Sequence, residues 1–443
     1  QLRNLKWMDL SYSSYLKELP NLSTATNLEE LKLRNCSSLV ELPSSIEKLT
    51  SLQILDLQYC SSLVELPSFG NTTKLKKLDL GNCSSLVKLP PSINANNLQE
   101  LSLRNCSRVV KLPAIENATK LRELKLQNCS SLIELPLSIG TATNLKKLNI
   151  SGCSSLVRLP SSIGDMTSLE GFDLSNCSNL VELPSSIGNL QKLIVLTMHG
   201  CSKLETLPIN INLKSLITLD LTDCSRLKSF PEISTHIEFL RLIGTAIKEV
   251  PLSIMSWSPL AAFQISYFNN PKIRLHFPKC FKLNQEARDL IMHTSTVRCA
   301  MFPGTQVPAC FNHRATSGDS LKIKLKESPL PTTLRFKACI MLVKVYEEIS
   351  FDEMWPSVVI VIRDEQNDLK VHCTPREYTI NPLLTEHIYT FELEVEEVTS
   401  TELVFEFTLD NERYWKIGEC GIVQRETRLL RRSSSPDLSP ESS

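Results

Sequence analysis

Residues 28–43 read Leu-Glu-Glu-Leu-Lys-Leu-Arg-Asn-Cys-Ser-Ser-Leu-Val-Glu-Leu-Pro, and the fold follows from how regularly that stretch returns. Its cysteine, Cys36, comes back as Cys60, Cys83, Cys106, Cys129, Cys153, Cys177, Cys201 and Cys224, at intervals of 23 or 24 residues. Leu31 and Leu33 alternate along a short strand and point inward. Leu28, Leu39 and Leu42 fill the rest of the wedge. The Leu-Pro step stops each turn, because proline fixes φ and offers no N–H. The thiol, at a position where Asn is more usual, is expected to bond backbone at the turn that follows it. No unit can bury its apolar face alone, so stability accumulates by stacking.

This period and pattern are the signature of a leucine-rich repeat solenoid, one strand and one return turn per unit. Repeat one covers about residues 1–24, with Ser13 at the cysteine position. Repeat eleven is degenerate (Ile237, Leu240, Leu242, Thr245), and repeat twelve is weaker still (Leu260, Phe263, Ile265, Phe268). Twelve strands spaced by ~4.8 Å give a concave arc on the order of 50–60 Å, large enough to hold a folded protein. The expected fold is thus an α/β horseshoe over 1–271, followed by an all-β domain. After 271 the period vanishes. Asn284 is placed to cap a short helix over 284–292. Strand-like runs at 321–325, 336–345, 358–362, 387–395 and 403–409 predict a β-sandwich or jelly roll over 272–424. Residues 425–443 turn Arg-rich and then Ser/Pro-rich, the composition of a disordered tail.

Lys+Arg and Asp+Glu both number 48, which argues against nucleic acid or a membrane surface as the main partner. No stretch approaches the ~20 apolar residues of a membrane span. The chain opens at Gln1 inside a repeat, with no signal peptide and no polar cap, so it is expected to be the C-terminal part of a longer protein. Nine of the fifteen cysteines occupy one repeat position. Repeat symmetry makes their Cβ vectors parallel, whereas a disulfide needs them to converge. Free stacked thiols fit a reducing cytosol. The Asn-x-Ser/Thr sequences at Asn21, Asn35, Asn71, Asn82 and Asn117 are largely by-products of the repeated Asn-Cys-Ser. Arg431-Arg432 before a run of serines has the look of a weak nuclear signal or a phosphorylation segment, and a solvated tail is the plainer reading. The expected compartment is cytoplasmic, with the nucleus second.

No phosphate-binding glycine loop and no Gly-x-Ser-x-Gly elbow is present, so neither phosphate chemistry nor acyl transfer has an anchor. His293, Cys299, Cys310 and His313 form the one metal-like set, and only Cys310-x-x-His313 has ligand spacing. His372 and Cys373 are neighbours on a strand and point to opposite faces, a poor thiol–imidazole geometry. The expectation is no enzyme, no metal and no cofactor in this chain.

The Cys-Ser-Ser-Leu-Val-Glu-Leu-Pro-Ser-Ser-Ile units resemble those of plant intracellular immune receptors of the TIR–NB–LRR class. The later segment strengthens the likeness. Phe281-Lys-Leu-Asn284-Gln-Glu-Ala-Arg288 looks like the opening of the domain that follows the repeats in those receptors, a jelly roll called C-JID. Phe302-Pro-Gly304-Thr-Gln-Val-Pro308, with Phe311-Asn-His313-Arg314 and Gly318-Asp-Ser320-Leu, is similar to its most recognisable motif. Phe336-Lys-Ala-Cys339 and Trp415-Lys-Ile-Gly-Glu-Cys420-Gly421 match later strands. Cys310 departs from it, since that position usually carries Trp. Within the class, the chain resembles most the receptors that recognise Peronospora parasitica, a downy mildew. The resemblance implies that repeats and jelly roll together bind a pathogen effector protein. It also implies upstream TIR and nucleotide-binding domains in the same chain, a homo-tetramer on activation, and an NAD-cleaving TIR activity outside this sequence. A leucine-rich repeat adaptor presenting substrates to a ubiquitin ligase is the alternative class, and a secreted repeat receptor the third.

Repeats four to eight put only polar side chains at the exposed strand positions. Repeats nine to twelve bring Ile194, Val195, His199, Ile217, Phe239, Arg241, Ile243 and Tyr267 to equivalent places. An exposed apolar stripe marks either a partner's footprint or packing against the following domain, and the sequence weighs these equally. Lys and Arg on repeats four to seven form a second, polar candidate that would steer an acidic partner. Trp7, Tyr12 and Tyr15 are candidates for contact with an upstream domain. In the jelly roll, the polar, proline-interrupted segments 347–355 and 375–386 carry Phe351, Trp355 and Tyr378, residue types common at interface hot spots.

Overall fold

The structure is a computed structural model. It describes residues 2–69, 72–208, 213–232, 237, 239–252, 273–277, 280–293, 297–325, 330–345, 358–364, 369–373, 387–396, 398, 400–409 and 415–425. Two compact units make up the chain, residues 1–302 and residues 303–443.

In the first unit each Leu-x-Leu step forms a three-residue strand: Trp7–Asp9, Glu30–Lys32, Ile54–Asp56, Lys77–Asp79, Glu100–Ser102, Glu123–Lys125, Lys147–Asn149, Gly171–Asp173, Val195–Thr197, Thr218–Asp220 and Phe239–Arg241. Neighbours pair in parallel, middle residue against middle residue. From Leu31 to Leu240 that middle residue is buried. The residue ahead of each cysteine then turns through left-handed backbone: Asn35 (φ 61), Asn82 (φ 64), Asn176 (φ 61) and Asp223 (φ 57) among them, with Gly152, Gly200 and Gly244 in the same role. Asn and Asp tolerate that region and Gly has no Cβ to obstruct it. Backbone conformation therefore accounts for the Asn of the repeated Asn-Cys-Ser.

The cysteine bond runs the other way from the sequence expectation. Cys60 Sγ donates to Leu33 O at 3.1 Å, Cys106 to Leu80 O at 3.1 Å and Cys224 to Met198 O at 3.2 Å. Each acceptor closes the strand of the preceding repeat, so the thiol ties one repeat to the last and not to its own following turn. Replacing Cys129 with alanine removes the donor to Leu103 O, 3.1 Å away. The Leu103 carbonyl keeps its bond from the Cys106 N–H at 3.0 Å and loses only the thiol, so stability measured by urea denaturation should fall by about 0.5–1.5 kcal/mol. Cys129→Ser keeps a donor and should lose less.

Where the interval is 24 residues, the return path contains a five-residue 3-10 helix: Ser44–Lys48, Leu137–Thr141, Ser161–Asp165 and Ser185–Asn189. A proline with φ between −65 and −68 precedes each, and Ile46, Ile139, Ile163 and Ile187 point into the core. Two of the 23-residue units replace the helix with extended backbone, Ser92–Asn94 paired in parallel with Ala114–Glu116.

The ladder runs past the expected boundary at 271. Phe239–Arg241 pairs in parallel with Ile273–His276, which pairs in parallel with Val297–Pro303. The division between units accordingly falls at Phe302/Pro303. The expected repeat twelve at 260–268 lies outside the described residues. Cys280 is a further ladder member: its Sγ donates to Leu242 O at 2.8 Å and meets Thr245 Oγ1 at 3.3 Å. The helix α1, Gln285–His293, forms where expected, and Asn284 Oδ1 caps it by accepting the Ala287 N–H at 2.8 Å.

Among the described residues the second unit holds eight strands: β1 (His313–Ala315), β2 (Ser320–Lys324), β3 (Thr333–Lys344), β4 (Val358–Asp364), β5 (Leu369–Cys373), β6 (His387–Glu396), β7 (Glu402–Leu409) and β8 (Trp415–Arg425). All pairings within it are antiparallel. One sheet has the order β1-β8-β3-β6, the other β2-β7-β4-β5. That order is the connectivity of a jelly roll. Alternation explains the core: Phe336, Ile340, Phe405 and Phe407 are buried, and the Phe336 and Phe405 rings meet edge to face at 5.1 Å across the two sheets. Pro303–Phe311 straps the first sheet. A Cβ on Gly421 would lie 2.7 Å from Val307 and 2.9 Å from Phe311, and the Val307 N–H donates to Glu419 Oε2 at 2.7 Å. The motif around Gly304 and the Gly421 of the last strand are thus two sides of one contact.

Candidate recognition surface

The strands of the first unit have a burial pattern of half-exposed, buried, half-exposed, so the residues flanking each central leucine line the open face of the sheet. Along the middle of that face the polar side chains satisfy one another. Lys77 Nζ lies 2.9 Å from Glu100, Lys125 lies 3.3 Å from Glu100 and 3.1 Å from Glu123, and Lys146 lies 2.9 Å from Glu170. Gln58 Nε2 donates to Asp79 Oδ2. Burial pushes the Glu100 carboxyl up, but Lys77 and Lys125 outweigh it and hold its pKa below the usual carboxylate range. Much of the charge on this stretch is therefore already matched from within, which weakens its claim as a steering surface.

The late repeats differ. Register sets Gly171 beside Val195, Val195 beside Thr218 and Thr218 beside Phe239. Ile217 N–H donates to Ile194 O at 2.9 Å, and Phe239 N–H to Ile217 O at 3.0 Å. Ile194, Val195, Ile217 and Phe239 thereby form one patch, each 37% or 38% exposed. His199 and Ile243 are half-buried at the far ends of their strands. Arg241 stands between Phe239 and Ile243, and its Nη1 donates to Asp220 Oδ2 at 3.2 Å. Asp173 accepts from Ser175 N–H at 2.9 Å, Thr197 Oγ1 at 3.0 Å and Asn149 Nδ2 at 3.0 Å. The patch is an apolar area with a satisfied polar border, the composition of an interface centre and its rim. Thr197, Thr218 and Asp220 belong to that border. Their residue types are ordinary, and only the register reveals the role.

The other candidates divide. Trp7, Tyr12 and Tyr15 are exposed by 64%, 70% and 93% at the start of the solenoid. Tyr267, Phe351, Trp355 and Tyr378, with the segments 347–355 and 375–386, lie outside the described residues, as do residues 426–443. Thirteen of the cysteines, the nine of the ladder with Cys280, Cys310, Cys339 and Cys420, carry free thiols. Burial pushes Cys60, Cys106 and Cys201 up to about 12, so these thiols stay protonated and inert at neutral pH. Among the described residues no group of three or more His, Cys, Asp or Glu is placed to hold a metal ion. No helix among them is long and apolar enough to cross a membrane.

Comparison with known proteins places these features. A family described as "Leucine-rich repeat region" matches residues 105–234, and the C-JID domain matches residues 302–394. The chain is 66% identical to the probable disease resistance protein RPP1 of Arabidopsis thaliana, over all of this chain and 39% of that protein. It is 49% identical to the disease resistance protein TAO1 of Arabidopsis thaliana over 32% of this chain and 12% of that one. The chain thus spans less than half the length of these relatives. Among solved structures, the leucine-rich repeat domain of the type III effector XopL aligns with a TM-score of 0.36 at 24% identity, covering 51% of this chain and 72% of that one. In its repeats, in the domain that follows them and in its sequence, the chain belongs to the plant disease resistance proteins that join leucine-rich repeats to a C-JID domain.

Proposed function

We propose that this chain is the ligand-recognition portion of an intracellular plant immune receptor, and that it binds a pathogen effector protein directly through the late repeats. The observation that carries the reading is the patch of Ile194, Val195, Ile217 and Phe239, set in register on adjacent strands and each 37% or 38% exposed, where the preceding repeats are polar and internally paired. Arg241 is a residue type enriched at interface hot spots, and Phe239 one enriched at interface centres. In the full-length receptor, upstream nucleotide-binding and TIR domains would turn occupancy into tetramer assembly and defence signalling, with NAD cleavage residing in the TIR domain.

The test is a titration of candidate oomycete effectors against this chain. Phe239→Asp and Ile217→Asp should each weaken binding by about a hundredfold, or roughly 3 kcal/mol. Both residues are 37% or 38% exposed, so the melting temperature should fall little, and circular dichroism checks that the fold is kept. Arg241→Glu should weaken binding less. An affinity unchanged by both aspartates would remove the late repeats from the recognition surface.

A further inference from the structure

In the second unit the strap 303–311 lies across the first sheet, whose order is β1-β8-β3-β6. At one end it meets β6, where Gly304 packs against Ile388 Cδ1 with no room for a Cβ. At the other it meets β8, where Val307 and Phe311 close on Gly421. Between those two contacts it passes over β3. Ile388 is the register partner of Met341 on β3, and Gly421 that of Cys339. Phe336 turns inward to meet Phe405, so by alternation Cys339 and Met341 turn to the opposite face, beneath the strap. Cys339 is wholly buried there.

The strap brings a second thiol to this place. Phe311 N–H donates to Pro308 O at 3.1 Å, closing a tight turn with Cys310 at its third position. Of the thirteen cysteines described, Cys310 alone is not buried. Burial pushes the Cys339 thiol well up, and the next cause is Cys310, ahead of Cys420. Cys420 pairs with Ile340, the next residue along β3. A thiol on the strap thus acts on Cys339 more strongly than one on the adjoining strand. The stacked cysteines of the solenoid have parallel Cβ vectors, whereas these two come from facing segments, the arrangement in which such vectors converge.

We propose that Cys310 and Cys339 are a thiol pair that glutathione disulfide oxidises, the resulting disulfide pinning the strap to β3. Cys310 is the accessible sulfur and takes the first step. Its thiolate attacks one sulfur of glutathione disulfide, that S–S bond breaks, and one glutathione leaves as the thiol. Cys339 then attacks the Cys310 sulfur, and its proton passes to the second departing glutathione. In all, the two cysteines lose two electrons and two protons, and glutathione disulfide gains them. Because burial holds Cys339 protonated, the second step is the slower one. In a reducing compartment the pair rests as two thiols, and the bond forms as glutathione disulfide accumulates.

Incubating the folded chain with glutathione disulfide, quenching with iodoacetamide and mapping the peptides by mass spectrometry tests this. The expected time course is a glutathione adduct on Cys310 first, then a cross-linked peptide joining Cys310 to Cys339, lighter by two hydrogens than the two thiol peptides together. Dithiothreitol should reverse it. The buried cysteines of the solenoid should be recovered as thiols throughout. Cys310→Ser, a change at a half-buried turn position, should abolish both adduct and cross-link. Cys339→Ser, with circular dichroism checking its fold, should stop at the adduct, which then persists. The bond forms only where the two Cα atoms come within ~7 Å, so the cross-link also reads the strap's position. Recovery of Cys310 as a thiol from the parent chain would overturn the proposal. So would an adduct that never passes to Cys339, or a bond from Cys310 to Cys420 instead.

Discussion

Replacing Gly140 with valine should lower the free energy of unfolding by about 3 kcal/mol, read as a shift of the urea midpoint at unchanged slope. Gly140 sits in the 3-10 helix Leu137–Thr141, which stacks on Ser161–Asp165 of the next repeat. A Cβ at Gly140 would lie 2.6 Å from Ser162 O and 2.9 Å from Ser162 Cβ. The first obstacle is backbone, which cannot rotate aside as a flexible side chain would, so relief requires the two return turns to separate. In a solenoid that separation opens a nearest-neighbour contact, the term on which stacking stability depends. Gly171 is the control. It lies on the concave face, and the nearest atom to an added Cβ is Lys147 Cγ at 3.8 Å. Gly171→Val should therefore leave the midpoint where it is. Equal midpoints for the two variants would mean that the 3-10 turns do not stack as closely as they stand here.

The same region shows what the sequence makes legible. Four of the 24-residue intervals contain a 3-10 helix, whereas two 23-residue intervals return by extended backbone. In those six intervals the count of residues goes with the return path, and that count can be read without coordinates. The helix opened by Asn284 was equally readable, because capping is a local interaction between a side chain and the N–H three residues on. The end of the ladder was not. Thr245 interrupts the cysteine pattern, and Cys280 resumes it 35 residues later. Periodicity carries no information across such a gap, and only the strand pairing of Phe239–Arg241 with Ile273–His276 restores the register.

The candidate surface was legible in part for a related reason. Ile194, Val195, Ile217 and Phe239 stand out because they break a polar pattern at known strand positions. Val40, Val64, Val87, Val110, Ile133, Val157 and Val181, four residues beyond successive cysteines, repeat without a break and so read as scaffold, since β-branched residues are also what an extended, half-buried backbone favours, yet they are 39% to 48% exposed. Exposure separates the two meanings, and exposure is a property of the packed solenoid. The direction of the thiol bonds shows the same limit. A cysteine next to a turn can bond forward or back, and its acceptor is fixed by the neighbouring repeat, which the local sequence does not specify.

Raising the pH above about 9 should unfold the solenoid far more steeply than loss of its surface ion pairs would. Burial pushes the thiols of Cys60, Cys106 and Cys201 up to about 12, and it raises those of Cys83, Cys177 and Cys224 as well. In an unfolded chain a thiol ionises near its ordinary value of 9.0. Below that pH both states hold the proton and burial carries no pH-dependent cost. Between about 9 and 12 the unfolded chain releases the proton while the native chain keeps it, so stability falls as pH rises. Each such thiol contributes a slope of about 1.4 kcal/mol per pH unit across that window. Six together lose, within one unit, an amount comparable with the roughly 5–15 kcal/mol stability of a typical domain. Urea denaturation at pH 8, 9 and 10 (round values bracketing the ordinary thiol range of about 8.5) measures the slope directly. The triple substitution Cys60→Ser, Cys106→Ser and Cys201→Ser should flatten it by about three protons, because a hydroxyl does not ionise in that range while still offering a donor to the carbonyls of Leu33, Leu80 and Leu174. If lysine deprotonation on the surface were the cause instead, the triple variant would keep the parent's slope, and the buried thiols would have no part in alkaline unfolding.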